Sequence, residues 1–457
     1  MLETTDFRSR NVLIFGLGLH SGGLNAARWF LRQAAVVGVT DLRPARELRP
    51  SVTPLRGQVR RWTLGRHLVR DIHWADVIVP NPGAVRNPLL GLARRLGKTI
   101  VMDVAVFFAL CPAPIVGITG TKGKGTTAAF TAAFLRTQYP DTSLVGNIGV
   151  GALGQLPYLR AAVPTVFELS SWQLEGLADT GVSPHIALLT NVFPDHLNRY
   201  RSFADYVAAK YSIARFQQPG DVAIVNLDNH RSTRLPIQPG VRRLEYALTR
   251  RPGASAYCAN GKVWLRWRGR PFAVAALKEF ALPGDHNRSA LLAALLAAAA
   301  AGADPRRFRT VIQRLRGLPG RLEVVARRRG VTWINDTTAT APAATVAALK
   351  TLRPPITLIA GGQDKRLPVT DLTREIRRRV EHLILLPGTA SRRLARALGK
   401  RSQARAVATL PEAVRVAARL TSPNGTVVLS PAAASFNQFR DEFHRGDVFV
   451  RAVRQTV

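Results

Sequence analysis

Cysteine, lysine, acidic residues and long apolar runs are all scarce in this sequence of 457 residues. The two cysteines, Cys111 and Cys258, form neither a zinc-binding pattern nor a disulfide framework, so we expect a reducing compartment, the cytoplasm. The most apolar stretch, residues 290–301, is shorter than the roughly 20 residues of a membrane-spanning helix. It predicts a buried helix and no membrane association. The N-terminus lacks the basic and apolar segments of a signal peptide.

The charge is strongly unbalanced, with 29 acidic against 65 basic residues and a net charge of +36. Such an excess suggests nucleic-acid binding. The arginines are spread along the whole chain, however, which favours a generally basic surface and no specific nucleic-acid partner. Only nine of the basic residues are lysines. Because lysine can lose its proton and arginine effectively cannot, Lys124, Lys210 and Lys365 are candidates for chemistry.

The order of apolar and turn-forming segments predicts an α/β fold of three domains. Residues 11–41 read as strand, glycine turn, helix and strand, with Asp41 after the second strand, as in a Rossmann-like fold. The glycine spacing is not the strict dinucleotide fingerprint, so NAD is a weak hypothesis. Two further α/β patterns follow, and residues 241–280 suggest antiparallel strands. We predict domains at 1–102, 103–317 and 318–457.

Residues 120–127 (GTKGKGTT) follow the apolar run 114–118 and predict a phosphate-binding loop. A strand would lead into the glycine turn, and a helix would begin near Thr126, so that backbone N–H groups and Lys124 face a polyphosphate. Ile118 and Gly125 depart from the full Walker pattern, which wants glycine and a hydroxyl residue there. Taken alone, the segment is therefore also compatible with an ordinary glycine-rich turn that binds no nucleotide.

Polar residues close the next predicted strands. Glu168 and the hydroxyls after it suit magnesium, or equally the cap of a helix. Asp195, His196 and Arg199 could bind metal or move protons, or belong to a capped helix with a surface histidine. Lys210, on a predicted helix, could take part in a salt bridge or snorkel to solvent.

Taken together, these segments resemble the Mur ligases, and within them the branch that adds D-glutamate. The matching segments in the first two thirds of the chain are 120–126, 146–149 (GNIG), 168–171 (ELSS), 195–196 (DH) and 206–210 (YVAAK). Those in the last third are 317–323 (GLPGRLE), 333–336 (WIND), 360–365 (AGGQDK) and 430–436 (SPAAASF). Several spaced motifs in the right order are more specific than any one of them.

The resemblance implies an ATP-dependent amide-forming ligase of peptidoglycan precursor synthesis, acting through an acyl phosphate. A Rossmann-like N-terminal domain would bind UDP-N-acetylmuramoyl-L-alanine, a central P-loop domain would bind ATP, and a Rossmann-like C-terminal domain would bring glutamate. Implied catalytic residues are Lys124, His196 and Lys210. Implied Mg²⁺ ligands are Thr126, Glu168, His196 and Lys210, the last if carbamylated. A monomer is expected.

The resemblance also implies two binding sets. The ATP-binding set is Gly120, Thr121, Lys122, Gly123, Lys124, Gly125, Thr126, Asn287, Arg321 and Asp336, with His286 near the adenine. The substrate-binding set is Leu19, His20, Asp41, Asn147, Ser170, Gln173, Thr340, Lys365, Ser435 and Phe443, with Arg43 near the uracil or phosphates.

The sequence departs from the family pattern in ways that bear on function. Gly125 replaces a hydroxyl residue, which predicts weaker metal binding, and Ala290 replaces an asparagine near the adenine. Thr338 stands where the family has lysine, and Glu442 where it has phenylalanine, with Phe443 one place later. A lost cation and a gained acid near a dicarboxylate predict a changed acceptor pocket, so L-glutamate is an alternative to D-glutamate.

Other readings change the substrate or the class of protein. Folylpolyglutamate synthase is disfavoured because it lacks an N-terminal unit like residues 16–41, and another Mur ligase is an alternative. A basic ATPase acting on nucleic acid would bind in a steeply salt-dependent way. An inactive protein that binds a UDP-sugar is a further alternative because of Gly125.

Overall fold

The computed structural model describes residues 6–19, 21–85, 87–147, 151–197, 199–399, 404–435 and 438–456. These residues form three β-sheets, each with helices between its strands. The predicted α/β class is therefore confirmed, with one sheet inside each predicted domain range.

The first sheet is five-stranded and parallel, in the order β3-β2-β1-β4-β5. Its strands are β1 (Asn11–Phe15), β2 (Val36–Asp41), β3 (Arg61–Leu64), β4 (Val77–Pro80) and β5 (Thr99–Ile100). The helices between its strands are α1 (Ser21–Arg32), α2 (Ala45–Val52), α3 (Val69–Trp74) and α4 (Pro88–Arg95), and α5 (Asp103–Leu110) follows β5. The strand order reverses between β1 and β4, and ligands of open α/β sheets bind beyond the strand ends at such a point.

The middle sheet has nine strands in the order β14-β13-β12-β11-β10-β9-β6-β8-β7. They are β6 (Ile115–Thr119), β7 (Leu144–Gly146), β8 (Thr165–Glu168), β9 (Ile186–Leu189), β10 (Val222–Asn226), β11 (Arg242–Thr249), β12 (Ala256–Ala259), β13 (Lys262–Trp267) and β14 (Arg270–Ala276). The accompanying helices are α6 (Lys124–Leu135), α7 (Ser171–Ala178), α8 (Phe203–Tyr211), α9 (His230–Thr233), α10 (Asp285–Ala300) and α11 (Phe308–Arg314).

Parallel pairing in the middle sheet runs from β7 to β12, and only β12, β13 and β14 pair antiparallel. The expectation that residues 241–280 hold antiparallel strands is thus confirmed by β12, β13 and β14, whereas β11 pairs parallel on both sides. The buried strand β6 lies between β9 and β8, because its five residues are all apolar or small enough for burial on both faces.

The third sheet has six strands in the order β15-β16-β20-β17-β18-β19, parallel except for β15. They are β15 (Glu323–Arg328), β16 (Val331–Asn335), β17 (Ile356–Ala360), β18 (Val380–Leu385), β19 (Arg405–Ala406) and β20 (Thr426–Leu429). The helices are α12 (Pro342–Thr351), α13 (Thr370–Arg379), α14 (Thr389–Leu398), α15 (Leu410–Leu420) and α16 (Glu442–Thr456). Apolar clusters include side chains of this sheet such as Ile359 in one cluster and Leu358 in another.

The chain folds as two compact units. One comprises Met1–Val192, Val207–Phe280 and Ser289–Arg314, and the other Phe193–Tyr206, Ala281–Arg288 and Leu315–Val457. The predicted domain boundaries near residues 102 and 317 stay predictions. The apolar stretch predicted as a buried helix is α10, whose alanines and leucines are largely buried. Among the described residues, no helix has the length and apolarity needed to cross a membrane.

Candidate active site

The loop after β6 has the geometry of a phosphate-binding turn. Gly123 caps helix α6 with a φ of 81°, in the left-handed region that favours glycine, and the helix begins at Lys124. This is two residues before the predicted start. The N–H groups of Gly125 and Thr126, in the first helical turn, meet no acceptor within the described part of the chain. A helix N-terminus of this kind binds anions.

The cation of the loop is near the same turn. Lys124 Nζ lies 3.3 Å from the carbonyl oxygen of Thr121 and donates to it. The side chain therefore curls back over the loop, as expected for a lysine that would pair with phosphate.

The segment after β9 holds the loop in place, and sequence analysis did not identify it. Thr190 Oγ1 donates to the carbonyl oxygen of Lys122 at 2.8 Å, and Asn191 makes three further hydrogen bonds to the loop. Gly120, with a φ of 150°, approaches this segment so closely that a Cβ would lie 1.9 Å from Thr190 Oγ1. The only sequence signal for Thr190 and Asn191 is that these polar residues directly follow a strand.

Glu168 and Lys210 occupy the same sheet edge. Glu168 ends β8 and is 5% exposed, yet its carboxylate makes no hydrogen bond or ion pair within the described residues. Lys210 is 1% exposed, with Nζ 3.4 Å from Thr119 Oγ1. Thr119 follows Ile118, which pairs with Glu168 across the strands.

A buried, unpartnered carboxylate suits a divalent cation, because Mg²⁺ prefers oxygen ligands. The described residues contain no cluster of three or more His, Cys, Asp or Glu side chains that would hold a metal alone. A magnesium site here would therefore need additional oxygens, which phosphates or a carbamylated Lys210 would supply.

Ser170 and Gln173 form the cap of α7. Gln173 N–H donates to Ser170 Oγ at 3.2 Å, and Ser170 N–H donates to Gln173 Oε1 at 3.0 Å. The helix-cap reading of this segment is thus confirmed, and substrate contacts by the two residues stay predictions. Asn147 is exposed and its N–H donates to the carbonyl oxygen of Glu168 at 3.1 Å.

In the second compact unit, Lys365 connects the predicted glutamate site with the Asp-His segment. Its Nζ donates to Thr340 Oγ1 at 3.1 Å and lies 3.9 Å from Asp195 Oδ1. Asp195 also accepts the N–H of His196 at 2.9 Å, and His196 has a φ of 54°. A cation held between a carboxylate and a hydroxyl is well placed to bind a second carboxylate.

Ser435 lies next to the same loop. Gln363 and Ala434 pair as an isolated antiparallel bridge, which brings the chain before Ser435 beside the chain before Lys365. Ser435 is 2% exposed, and its Oγ has no hydrogen-bond partner among the described residues. A buried hydroxyl without a partner costs free energy, so it points to a ligand or water at this place.

Asp336 anchors the turn that contains Arg321. Its carboxylate accepts the N–H of Leu322 at 3.2 Å and the hydroxyl of Ser430 at 2.7 Å. The side-chain amide of Asn287 donates to the carbonyl oxygen of Pro283 at 2.7 Å. Contacts of Arg321, Asp336 and Asn287 with ATP stay predictions.

The residues that depart from the family pattern have structural partners. Both the N–H and the hydroxyl of Thr338 donate to the carbonyl oxygen of Gly320, at 3.1 and 2.9 Å. Glu442 begins α16 and partly offsets the charge of buried Arg445, whose pKa burial lowers to about 10. Phe443 is 56% exposed and lines a cavity of about 400 Å³ with residues of α16 and the 319–320 turn.

In the first sheet, the predicted substrate-binding residues that the structure describes lie at the strand ends near the point where the strand order reverses. The carboxylate of Asp41 accepts the N–H groups of Gly18 and Arg43, at 2.9 and 2.8 Å, and so fixes the glycine turn. Leu19 is 36% exposed on that turn, and His20 lies outside the described residues. His67, which sequence analysis missed, stacks on the ring of Phe15 with 4.0 Å between ring centroids.

Two family models match this chain, one over the phosphate loop and the middle sheet and one over most of the third sheet and its loops. The model of the Mur ligase middle domain matches residues 118–298, and that of the Mur ligase glutamate ligase domain matches residues 320–433. The fold and the loop are those of a ligase that uses ATP to form amide bonds. The chain belongs to the Mur ligase family, so the resemblance noted in the sequence is confirmed.

Named relatives match almost the whole chain. The UDP-N-acetylmuramoylalanine--D-glutamate ligase of Roseiflexus sp. (strain RS-1) is 42% identical, over 97% of this chain and 98% of its own. The enzyme of that name from Geotalea uraniireducens (strain Rf4) is 35% identical, over 97% of both chains.

Solved structures of more distant ligases share the fold. UDP-N-acetylmuramate-alanine ligase MurC from Thermotoga maritima superposes with a TM-score of 0.62 at 16% identity, over 98% of this chain and all of its own. MurF ligase from the same organism, solved in complex with ADP, gives a TM-score of 0.60 at 14% identity, over 100% and 98% of the two chains.

Proposed function

We propose that this protein ligates D-glutamate to UDP-N-acetylmuramoyl-L-alanine at the expense of ATP, in the synthesis of peptidoglycan precursors. The observation that carries the proposal is the 42% identity, over nearly the full length of both chains, to a ligase of that name. The geometry of the loop, of Glu168 and of the Lys365 site supports the same reaction.

The phosphate loop serves the first half-reaction. A carboxylate oxygen of the sugar-nucleotide substrate attacks the γ-phosphorus of ATP, and ADP leaves, which yields an acyl phosphate. Such a transfer needs positioning and charge neutralisation more than covalent help from the protein. Lys124 and the N–H groups of the first turn of α6 hold the phosphates, and the flanking helix N-terminus adds favourable potential.

Within the first compact unit, Glu168, a carbamylated Lys210 and, through water, Thr126 would hold Mg²⁺, and His196 stays a ligand implied by the family resemblance. When bound, the ion neutralises the developing charge on the phosphates. Lys210 suits carbamylation because a lysine can lose its proton, and the neutral amine is the form that reacts with CO2. An arginine at this position could not be converted to an anion in this way.

The Lys365 site serves the second half-reaction. The amine of glutamate attacks the acyl carbon, phosphate leaves, and the amine loses a proton. Lys365, oriented by Thr340 and Asp195, pairs with a glutamate carboxylate, while the buried hydroxyl of Ser435 donates a hydrogen bond to it. A charged hydrogen bond of this kind is worth roughly 1.5–3 kcal/mol.

The altered residue Thr338 does not require an altered acceptor. Its hydroxyl and N–H are both used by the carbonyl oxygen of Gly320, so the side chain has a role in holding the turn. We therefore favour D-glutamate over the L-glutamate alternative.

Separate turnover assays with D- and L-glutamate test the proposal. We expect amide product and ADP from UDP-N-acetylmuramoyl-L-alanine with D-glutamate only. Product with L-glutamate alone would show that the acceptor is L-glutamate, and the protein would still be a ligase. ATP hydrolysis stimulated by polynucleotide but not by the sugar nucleotide would instead favour the nucleic-acid ATPase.

Gly125→Ser tests whether the native loop is active. We expect activity in both proteins, with a lower magnesium requirement for the variant. Activity that is absent in the native protein and appears in Gly125→Ser would show an inactive native enzyme. The cytoplasmic location and the monomeric state stay predictions.

A further inference from the structure

Asn191 has four polar groups near the phosphate loop and uses three of them to hold it. Its carbonyl oxygen accepts the N–H of Thr121 at 2.8 Å, and its side-chain Oδ1 accepts the N–H of Lys122 at 2.9 Å. Its side-chain Nδ2 donates to the carbonyl oxygen of Lys122 at 3.0 Å. Backbone groups that pair in this way are fixed in direction before any ligand arrives.

These hydrogen bonds determine which backbone N–H groups of the loop remain available to bind a phosphate. The N–H groups of Thr121 and Lys122 point at Asn191, so they are used within the protein. The N–H groups of Gly125 and Thr126 lie beyond the last of these bonds and meet no acceptor within the described residues. The loop is thus divided into a clamped first half and an open second half.

Buried polar residues at the end of β10 and at α9, which follows it, support the clamp. Asn226 Nδ2 donates to the carbonyl oxygen of Thr190 at 2.9 Å, and Asn229 Oδ1 accepts the N–H of Val192 at 3.1 Å. Ser232, fully buried, donates to the carbonyl oxygen of Leu189 at 2.8 Å. The backbone on both sides of Asn191 is therefore fixed by these three side chains.

We propose that Asn191 is a positioning residue that holds the phosphate loop in its nucleotide-binding shape. The phosphates are then bound by the N–H groups of Gly125 and Thr126 and not by those of Thr121 and Lys122. The inference rests on the nucleotide site proposed above, and it adds to that site a residue that does not touch the nucleotide.

The test compares ADP binding by the full-length protein and its Asn191→Ala variant, using calorimetry. Loss of two side-chain hydrogen bonds to the loop should raise the Kd for ADP about tenfold, which corresponds to about 1.4 kcal/mol. The KM for ATP should rise by a similar factor, and the KM values for glutamate and the sugar nucleotide should change less than about twofold. Thr190→Val, which loses one hydroxyl donor at nearly constant volume, should raise the Kd about threefold.

Asn87→Ala is the matched control. Asn87 Oδ1 accepts the N–H of Leu89 at 3.0 Å at the start of α4, so the substitution also removes a side-chain bond to backbone. Its ADP affinity should equal that of the native protein. If Asn191→Ala does not fold, Asn191→Ser, which keeps one polar group, is measured against the same criterion.

Two results would overturn the inference. One is a folded Asn191 variant whose Kd for ADP stays within twofold of the native value. The other is an equal rise of all three KM values, since that would reflect a general structural defect. Native protein that fails to bind ADP would contradict the nucleotide site itself, and so the proposed function.

Discussion

Replacement of Gly120 by alanine tests how closely the phosphate loop packs on the segment after β9. A Cβ at this position would lie 1.9 Å from Thr190 Oγ1 and 3.1 Å from the backbone nitrogen and oxygen of Asn191. The φ of Gly120, 150°, is also one that side-chain-bearing residues rarely adopt. The hydroxyl of Thr190 would have to move, and its hydrogen bond to Lys122 would be lost.

The cost of Gly120→Ala follows from these two effects. Overpacking of a tight site costs typically about 1–3 kcal/mol. The lost hydrogen bond adds about 1 kcal/mol. We therefore expect the free energy of unfolding, measured by urea denaturation, to fall by about 2–4 kcal/mol, together with weaker ADP binding.

Two further proteins make the test specific. Gly154→Ala is the control, because a Cβ there meets nothing within 4 Å, and its stability should change by less than about 0.5 kcal/mol. Thr190→Ala removes the atom that clashes, so the double variant should be more stable than the sum of the single effects predicts. Strict additivity, or a Gly120→Ala protein as stable as Gly154→Ala, would refute the packing argument.

Three other predictions concern separate parts of the protein. Activity should fall when bicarbonate is depleted and return when it is added, whereas Lys210→Arg should be inactive in both conditions; bicarbonate-independent activity would argue against carbamylation. Lys365→Met should raise the KM for glutamate by about tenfold or more with little change in the KM for ATP, because a charged hydrogen bond is worth roughly 1.5–3 kcal/mol; equal changes would contradict its role. Burial lowers the pKa of His67 below its ordinary 6.5, against the opposing charges of Asp41 and Asp71, so the unfolded chain takes up the proton first. The free energy of unfolding should then decrease as the pH falls through about 6.5, and less so in His67→Gln; identical pH profiles would contradict this.

The local parts of the site were predictable from sequence because their signals are local. The glycine turn, Lys124 and the following helix are contiguous in sequence. The strand that ends in Glu168 can be predicted from its run of apolar residues. The phosphate loop and its strand, β6, were therefore placed to within two residues. The confirmed family membership rests on the order of several such short signals.

The contacts that hold these parts together were not predictable in this way. Asn191 meets Lys122 across 69 residues of sequence, and this contact exists only because β9 pairs beside β6. Without the strand order, Asn191 is one more polar residue after a strand. The same applies to Thr338, whose unusual identity suggested an altered pocket until its bonds to Gly320 were seen.

The contacts of the phosphate loop indicate which of its functions is affected by glycine in place of a hydroxyl residue at position 125. Phosphate binding at a helix start depends on backbone N–H groups, which glycine supplies as well as serine does. A hydroxyl one residue later, on Thr126, is rotated by about 100° around the helix axis, so it cannot occupy the same position. In the metal site proposed above, the substitution would therefore remove a direct oxygen ligand and would leave the backbone contacts to the nucleotide. Nucleotide affinity without metal should be preserved in this chain, and the loss should fall on its affinity for magnesium.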